Sequence, residues 1–147
     1  MITVRKMQTR DIRAVRAYGE RERRFAVGDG SQGFWSPEQL ARWINMDRDV
    51  LLVAVHDGAI VGYVTSQHHR PTGKAVMENL FVADGYRERG VGCDLVRICA
   101  AKLRLKGATY LCAMVEPDNE PLRRLFDSIG FRRGRDFVWT DKVDLRT

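Results

Sequence analysis

Residues 76–95 read VMENLFVADGYRERGVGCDL, and this stretch decides the fold of the chain. A buried strand runs into a short turn, an arginine- and glycine-rich loop follows, and a helix begins near Gly90. Gly90 and Gly92 allow a ligand to approach the backbone closely, and the first turn of a helix presents unpaired N–H groups. Arg87 and Arg89 add charged donors at the same place. The stretch therefore predicts an anion-binding loop between a strand and a helix.

Two familiar phosphate-binding motifs do not fit this loop. A P-loop has four residues between its glycines and then Lys followed by Ser or Thr, and this loop has neither. A Rossmann fingerprint needs a third glycine, whereas Gly90-Val91-Gly92 continues as Cys93-Asp94-Leu95. From the loop alone, an anion site and an ordinary basic strand–helix turn both remain open.

The apolar patterning predicts an alternation of strands and helices around this loop. The predicted strands are 2–6, 50–55, 60–66, 75–83, 109–115 and a final pair within 131–142. The predicted helices begin at Thr9 or Asp11, at Ser36, at Gly90 and at Asn119. Asp57-Gly58 predicts a hairpin turn between the second and third strands. This order predicts an α/β fold of the α+β kind, with a mixed sheet and helices on both faces.

Composition places the chain among ordinary globular domains. Its 147 residues predict one domain over 1–147. Because it contains no apolar run of about 18 residues and its N-terminus has no signal-like stretch, we expect a cytoplasmic protein that does not enter a membrane. Three cysteines without a CxxC pair favour buried thiols in a reducing compartment. A net charge of +6 favours anionic partners.

Two blocks of the sequence resemble one family. Arg87-Glu88-Arg89-Gly90-Val91-Gly92 resembles the Arg/Gln-x-x-Gly-x-Gly/Ala signature of the GCN5-related N-acetyltransferases (GNAT family). Residues 119–131, NEPLRRLFDSIGF, are similar to the family's second block, which usually reads Asn, two residues, Ala, two residues, Leu-Tyr, three residues, Gly-Phe. The N-terminal strand and helix and the hairpin at 50–66 also stand where the family has them, so the resemblance covers nearly the whole chain.

The resemblance implies a GNAT-type sheet, mixed and mostly antiparallel, with splayed fourth and fifth strands. It implies acetyl-CoA as the co-substrate, with its pyrophosphate on the loop and its pantetheine arm paired to the free edge of the fourth strand, whose N–H and C=O groups need partners. We expect no metal. The implied cofactor-binding residues are Leu80, Phe81, Val82, Arg87, Glu88, Arg89, Gly90, Val91, Gly92, Cys93, Asn119, Leu122 and Phe126.

The implied reaction is attack of an amine on the thioester of acetyl-CoA, with no covalent enzyme intermediate. Glu78 is the candidate general base, because strand alternation gives it the face of Leu80 and Val82. A backbone N–H near Val82 is the candidate oxyanion donor. The fallback candidates for the base are Glu116, His68 and His69.

The chain departs from the family pattern at residue 126. Many members carry a tyrosine there that protonates the departing thiolate, whereas this chain has Phe126, which cannot donate a proton. Either another group supplies the proton or none is needed. A thiol with a pKa of about 8.5 is a good leaving group, so we expect the chain to be active.

The loop at 25–35 lies where acceptor substrates usually enter enzymes of this family. Phe34 and Trp35 are therefore candidate substrate-binding residues, with buried aromatic anchors as the other interpretation. The acidic residues that could attract a cationic amine to this loop are Glu20, Glu22 and Asp29. The sequence does not choose between a peptide N-terminus, a lysine, a polyamine and a small drug-like amine.

The favoured hypothesis is an acetyl-CoA-dependent N-acetyltransferase acting on a primary amine of a small molecule, a peptide or a protein. One alternative is a relative that binds acetyl-CoA without transferring the acetyl group, which Phe126 keeps open. Another is a basic nucleic-acid-binding module, for which the chain has arginine clusters but no recognisable motif. Because family members are often dimers and Phe137-Val138-Trp139 has edge-strand character, a homodimer is also expected.

Overall fold

The computed structural model describes residues 1–28 and 30–146, so Asp29 lies outside the described residues. Within them, one sheet carries helices on both of its faces. The strands are β1 Ile2–Lys6, β2 Leu51–His56, β3 Ala59–His69, β4 Lys74–Val82 and β5 Tyr110–Ala113. The α-helices are α1 Ile12–Arg21, α2 Pro37–Ile44, α3 Val91–Leu105 and α4 Glu120–Ser128, with 3₁₀ turns at Thr9–Asp11 and Arg23–Phe25.

The strands follow one another across the sheet in chain order, from β1 to β5. The first four are antiparallel, and β5 runs parallel to β4 because α3 carries the chain back between them. Asp57 and Gly58, at φ of 51° and 78°, form the tight turn between β2 and β3. The expected mixed, mostly antiparallel sheet is therefore confirmed.

A separate core fills each face of the sheet. On one face, α3 packs Leu95, Val96 and Cys99 against the sheet, where Val64 and Ala75 are buried. On the other, α1 and α2 cover a second cluster, whose fully buried members are Met7, Val15, Leu40, Val53 and Tyr63. Burying apolar side chains on both faces is what holds the sheet between its helices.

Short-range signals account for the helix boundaries. The Ser36 hydroxyl accepts from the Gln39 N–H at 3.1 Å, and the Gln39 side chain accepts from the Ser36 N–H at 2.8 Å. Pro37 then occupies the first helical position. At the C-terminal end of α3, Gly107 has a φ of 100° and follows the C-cap residue. Both predicted boundaries are confirmed.

The C-terminal prediction is wrong: residues 131–142 contain no strand, and β5 ends at Ala113 rather than near residue 115. Phe137, Val138 and Trp139 are 82%, 87% and 58% exposed. Their aromatic and β-branched side chains fit a pleated surface, but a strand forms only where an edge pairs with it. In the part of the chain described, no such pairing is present.

Three further features of the fold concern membrane-spanning helices, possible metal ligands and the cysteines. No helix within residues 1–28 and 30–146 is long and apolar enough to cross a bilayer. Over the same residues, no three His, Cys, Asp or Glu side chains are grouped so as to hold a metal ion. The three cysteines, Cys93, Cys99 and Cys112, are free thiols.

We predict that Gly62→Ala destabilises the protein, because β3 approaches both β4 and α3 closely at this residue. A Cβ atom at Gly62 would lie 2.8 Å from the Phe81 carbonyl oxygen and 3.2 Å from the Leu95 side chain. Overpacking against backbone costs about 1–3 kcal/mol of the free energy of unfolding. Urea denaturation measures it. Gly33→Ala is the control, since nothing lies within 4 Å of its added Cβ; equal stability of the two variants would contradict the prediction.

Candidate active site

A β-bulge interrupts the ladder between β3 and β4. Thr65 pairs with Asn79, whereas the next residue, Ser66, pairs with Met77, which leaves Glu78 as the extra residue. Across a bulge, simple alternation does not fix the face of the extra residue, so the placement of Glu78 on the face of Leu80 and Val82 stays a prediction. The bulge was not visible in the sequence, because no glycine or proline marks it.

On its other side, β4 loses its partner at nearly the same place. The last pair between β4 and β5 joins Met77 to Ala113. Beyond it, residues 78–82 continue as a strand while β5 has ended, and the chain after β5 soon reaches Pro117. A gap therefore opens between the two strands at Glu78, as the resemblance implied for the fourth and fifth strands.

Backbone groups of β4 face this gap. The Ala83 N–H donates to the Val61 carbonyl on the β3 side at 2.9 Å. Because backbone groups alternate in direction along a strand, the N–H and C=O groups of Leu80 and Val82 point the other way, into the gap. The Arg87 Nε donates to the Val82 carbonyl at 3.1 Å, which agrees with this direction. The free edge expected from the sequence is thus present at two residues.

Phe81 stands between these two residues but faces away from the gap. Its ring stacks on Tyr63, with ring centres 5.3 Å apart, and lies 4.7 Å from the ring of Tyr18. These contacts belong to the face covered by α1 and α2. Of the three residues expected along the edge, Leu80 and Val82 offer backbone groups to the gap. The Phe81 side chain instead packs on the face of the sheet that α1 and α2 cover.

The loop that leads from β4 into α3 is shaped for an anion. Glu88 and Gly90 have left-handed φ values of 60° and 83°. The first backbone bond of α3 runs from the Asp94 N–H to the Gly90 carbonyl, at 3.0 Å. The N–H groups of residues 91–93 therefore precede the helical ladder, at the positive end of the helix dipole. The N–H groups of Val91, Gly92 and Cys93 suit oxygen ligands such as phosphate.

The two glycines of the loop have different structural roles. Gly90 needs its left-handed conformation and has no atom within 4 Å of an added Cβ. At Gly92, an added Cβ would lie 2.6 Å from a methyl carbon of Leu125 on α4. Gly92 thus permits close packing of α4 against the start of α3, and the ligand approach to its backbone stays a prediction.

Both loop arginines are partly restrained. Arg87 lies 3.6 Å from Asp84. Arg89 lies over the ring of Tyr86, 5.0 Å from its centre, and the Tyr86 hydroxyl shares a 2.9 Å hydrogen bond with His56 Nδ1. Since each guanidinium carries five N–H donors, both arginines keep donors for an anion. His56, at the end of β2, thus holds the tyrosine on which Arg89 lies. Nothing in the sequence indicates that His56 is close to this loop.

The residues predicted on α4 are mostly engaged within the protein. Asn119 is the N-cap of α4, and its side-chain oxygen accepts from the Leu122 N–H at 3.4 Å. Phe126 is only 6% exposed, and its ring centre lies 4.7 Å from that of Phe131. Phe126 therefore packs in the α3-side core, and Leu122 is partly buried against the same core.

Glu78 lies where the gap opens, in a partly buried position. Burial raises the pKa of its carboxyl above the ordinary range. Cys112, on β5, has its own pKa raised by burial and by the charge of Glu78, so the two side chains are near one another. Next to Glu78, the Asn79 side-chain oxygen accepts from Trp35 Nε1 at 2.7 Å and from the Thr65 hydroxyl at 2.8 Å.

The two aromatic residues predicted to bind substrate, Phe34 and Trp35, both pack against the protein beside the site. Trp35 is tied to β4 through Asn79 and lies edge-on to Trp43, with ring centres 5.1 Å apart. Phe34 packs under α1, where a Cβ at Gly19 would lie 2.5 Å from its ring. Both are partly buried, and Trp35 is the one that reaches the strand carrying Glu78.

Two of the fallback bases, His68 and His69, lie away from the opening of the gap, and the third, Glu116, is held in an ion pair. His68 is 2% exposed and pairs with Ala75 on the β3 side of β4, and His69 lies 2.9 Å from the Thr72 hydroxyl near the following turn. Glu116 forms an ion pair with Arg24 at 2.9 Å. Of the four candidates, Glu78 is the one located at the bulge, where β4 loses its pairing with β5.

Comparison with known proteins agrees with this geometry. A family model described as the acetyltransferase (GNAT) family matches residues 15–131. A mycothiol acetyltransferase from Corynebacterium glutamicum (strain R) is 32% identical over 120 residues, which cover 76% of this chain and 39% of that protein. An aminoglycoside acetyltransferase from an uncultured soil metagenomic sample has the same fold, with a TM-score of 0.77 at 17% identity, covering 98% of this chain and 99% of that one.

A further aminoglycoside N-acetyltransferase, solved in complex with CoA, has a TM-score of 0.72 at 20% identity, covering 95% and 98% of the two chains. At these identities, the likeness to solved structures is one of fold. The match to the family model shows that this chain belongs to the GNAT acetyltransferase family. The chain spans about two-fifths of the length of the mycothiol acetyltransferases that it matches.

We predict that Glu78→Gln stabilises the protein at neutral pH. Burial raises the folded-state pKa of Glu78 above its unfolded value, so the folded state binds the proton more tightly. The stability that this supplies is complete below the unfolded pKa and is lost as the pH rises through the folded pKa. In urea denaturation, the variant should therefore exceed the wild type at pH 8, by a margin that shrinks towards pH 4.

Glu38→Gln is the matched control, because Glu38 is an exposed carboxylate on α2. It should show no comparable gain at pH 8. A Glu78→Gln variant that is less stable than the wild type at pH 8 would show that the carboxylate is held by favourable contacts instead.

Proposed function

We propose that this chain transfers the acetyl group of acetyl-CoA to a primary amine by direct attack. The observation that carries the proposal is the position of Glu78, at the bulge in the β3–β4 ladder and just past the last pair between β4 and β5, where the free backbone edge of β4 begins. A partly buried carboxyl with a raised pKa, placed beside an unpaired strand edge that leads to an anion loop, is the arrangement that such a transfer needs.

Each part of the site has a role in the proposal. The N–H groups at the start of α3, with Arg87 and Arg89, bind the pyrophosphate, and the edge at Leu80 and Val82 pairs with the amide groups of the extended arm. Bound acetyl-CoA supplies an activated thioester carbonyl. The Val82 N–H, which faces the gap, donates to the oxygen of that carbonyl as negative charge develops on it.

Glu78 accepts the proton that the attacking amine loses, directly or through one water. A carboxylate with a raised pKa is a stronger base than an exposed one, so partial burial suits this role. The carbon–sulfur bond breaks as the carbon–nitrogen bond forms, and CoA leaves as a thiolate. Phe126 does not protonate it, but a thiol with a pKa of about 8.5 leaves without general-acid help.

One alternative keeps support from the structure. Phe126 has no hydroxyl and is 6% exposed, so it gives the departing thiolate neither a proton nor a hydrogen bond. A relative that binds acetyl-CoA without efficient transfer would have such a site. The experiment below separates binding from turnover for that reason.

The first experiment is thermal unfolding with and without about 1 mM acetyl-CoA, where a dissociation constant of about 10 μM would stabilise the fold by about 2.7 kcal/mol. For a chain of this length, the transition should rise by roughly 5–10 °C. Arg87→Ala with Arg89→Ala should remove most of this shift, since both arginines lie in the anion loop. Arg104→Ala is the control, because Arg104 lies at the opposite end of α3.

The second arm measures release of CoA with an amine acceptor. Glu78→Gln should keep the acetyl-CoA shift but lose about a hundredfold or more in kcat, as expected for removal of a general base. Wild-type kcat/KM should increase with pH through the raised pKa of Glu78. If acetyl-CoA raises the unfolding temperature of the wild type but no CoA is released, the binding-only alternative is supported. If acetyl-CoA does not change the unfolding temperature at any salt concentration, both the transferase and the binding-only hypotheses are contradicted.

The acceptor and the cellular setting belong to the proposal as well. Relatives are named for mycothiol and for aminoglycosides, so the shared fold is compatible with different acceptors. Three free thiols favour a reducing compartment, and we place the protein in the cytoplasm on that ground. We treat residues 1–147 as one N-acetyltransferase domain.

We further propose that the chain forms a homodimer through the open edge of β5 and residues 137–139. Tyr110 and Met114, at or just past the end of that edge, are 56% and 64% exposed, and the three apolar residues of the C-terminal segment are also exposed. An exposed apolar patch beside an unpaired strand is a typical protein–protein contact. We predict that the wild type sediments as a dimer and that Trp139→Asp sediments as a monomer.

Leu105→Asp is the matched control for this prediction. Leu105 is 82% exposed and belongs to α3, not to β5 or residues 137–139, so its replacement should leave the dimer intact. A wild-type protein that remains monomeric at high concentration would contradict the proposal.

A further inference from the structure

One ion-pair cluster joins distant parts of the chain beside the gap. Arg24 Nη1 lies 2.9 Å from a carboxylate oxygen of Glu116 and 3.1 Å from one of Asp118. The two acidic residues follow β5, on the far side of the gap from β4. Arg24 belongs to the 3₁₀ turn after α1, and its own N–H donates to the Glu22 carboxylate at 3.1 Å. We call residues 22–25 the Arg24 strap.

The strap lies over the part of β4 that borders the gap. Phe25 packs against Phe34 and Tyr63, with ring centres 5.8 Å and 6.5 Å apart. Tyr63 in turn stacks on Phe81, which lies on β4 between the two residues that face the gap. The strap therefore covers the face of the sheet opposite α3. An acceptor that approaches the gap from this face meets the strap first.

Beneath the strap, a hydroxyl group is buried without a hydrogen bond. Tyr63 is fully buried, and its hydroxyl has no hydrogen-bond partner within residues 1–28 and 30–146. Burial and the charge of Glu22 raise the pKa of Tyr63, so the hydroxyl stays protonated and can donate. A buried donor without a partner is unfavourable, and it would gain one if a polar ligand replaced the strap.

The ion pairs of Arg24 with Glu116 and Asp118 are weak enough for another cation to replace Arg24. Glu116 and Asp118 have side chains 56% and 74% exposed, and an ion pair in such a place is screened by water. An ammonium group of a ligand offers the same charge and hydrogen-bond donors as the guanidinium of Arg24. Exchanging one cation for the other between the same two carboxylates therefore changes little in energy, whereas opening the strap without a substitute leaves both carboxylates unpaired.

We propose that the Arg24 strap is a lid on the acceptor side of the gap, and that an acceptor carrying a second cationic group opens it by replacing Arg24 between Glu116 and Asp118. This rests on the acetyl transfer proposed above. The first amino group is the one that attacks the thioester beside Glu78, and the second takes the place of the guanidinium. Arg24 thus determines specificity by competing with the substrate.

The test compares two acceptors of equal length, 1,5-diaminopentane and 1-aminopentane, in wild type and Arg24→Gln. Without the competing guanidinium, KM for the diamine should fall relative to KM for the monoamine by about fivefold, as expected for loss of one competing exposed ion pair. Arg24→Lys restores a cation and should restore the wild-type ratio. Arg21→Gln, the same change at an exposed position at the end of α1, should leave the ratio unchanged.

A KM ratio that is unchanged in Arg24→Gln overturns the proposal, as does an equal shift in Arg21→Gln, which would reflect net charge alone. The double variant Glu116→Gln with Asp118→Asn gives the reciprocal result, since the diamine should then lose its advantage over the monoamine. If the double variant still prefers the diamine to the monoamine, the proposal is also overturned.

Failure of acetyl transfer is separated from failure of the lid by a binding measurement. If no variant acetylates either amine, the proposed function is wrong, and calorimetry with 1,5-diaminopentane then tests the lid alone. Arg24→Gln should bind the diamine more tightly than the wild type and Arg24→Lys. Equal affinities in the three proteins overturn the lid.

Discussion

The parting of β4 from β5 after the Met77–Ala113 pair is the constraint on which the rest of the structure depends. A strand edge inside a sheet leaves backbone donors and acceptors without partners, which a folded chain normally avoids. Here the edge at Leu80 and Val82 is kept open, and Arg87 reaches back to the Val82 carbonyl. Because β4 runs directly into the loop and α3, the open edge, the arginines and the helix N-terminus form one continuous surface.

The sheet also separates two chemical environments. On the α3 side, the core is apolar and closed, and Phe126 lies within it. On the other side, aromatic rings alternate with hydrogen-bonding groups, and Trp35 is tied to β4 through Asn79. Glu78 lies at the bulge between the two environments. In the proposed reaction, Glu78 at this boundary accepts the proton of the attacking amine while the thioester occupies the gap.

Signals that act over a few residues were sufficient for most of the fold. The capping residues at Ser36, the turn at Asp57-Gly58 and the loop at 87–92 each depend on neighbours within the same segment, so their sequence predicts their structure. The two-block resemblance then ordered these segments into the correct sheet. The gap between the fourth and fifth strands came from that resemblance and not from any local pattern.

The features that sequence reasoning missed depend on distant partners. The bulge at Glu78 arises from the register between two strands, and the Arg24–Glu116 pair joins residues 92 positions apart. Residues 137–139 have strand-forming side chains, but propensity does not create the edge that a strand needs. The same holds for Gly92, whose neighbour Leu125 lies on another helix. The packing contact between the two was therefore not visible in the sequence.

This last contact makes the two residues a coupled pair in any comparison of variants. Because a Cβ at position 92 would lie 2.6 Å from a methyl carbon of Leu125, a side chain at position 92 displaces the Leu125 side chain, and a smaller residue at 125 relieves that displacement. The effects of such substitutions on stability should be non-additive, as for residues in direct contact. Divergence within this family is then expected to change both positions together, and the loop glycine would vary without any change in the ligand that the loop serves.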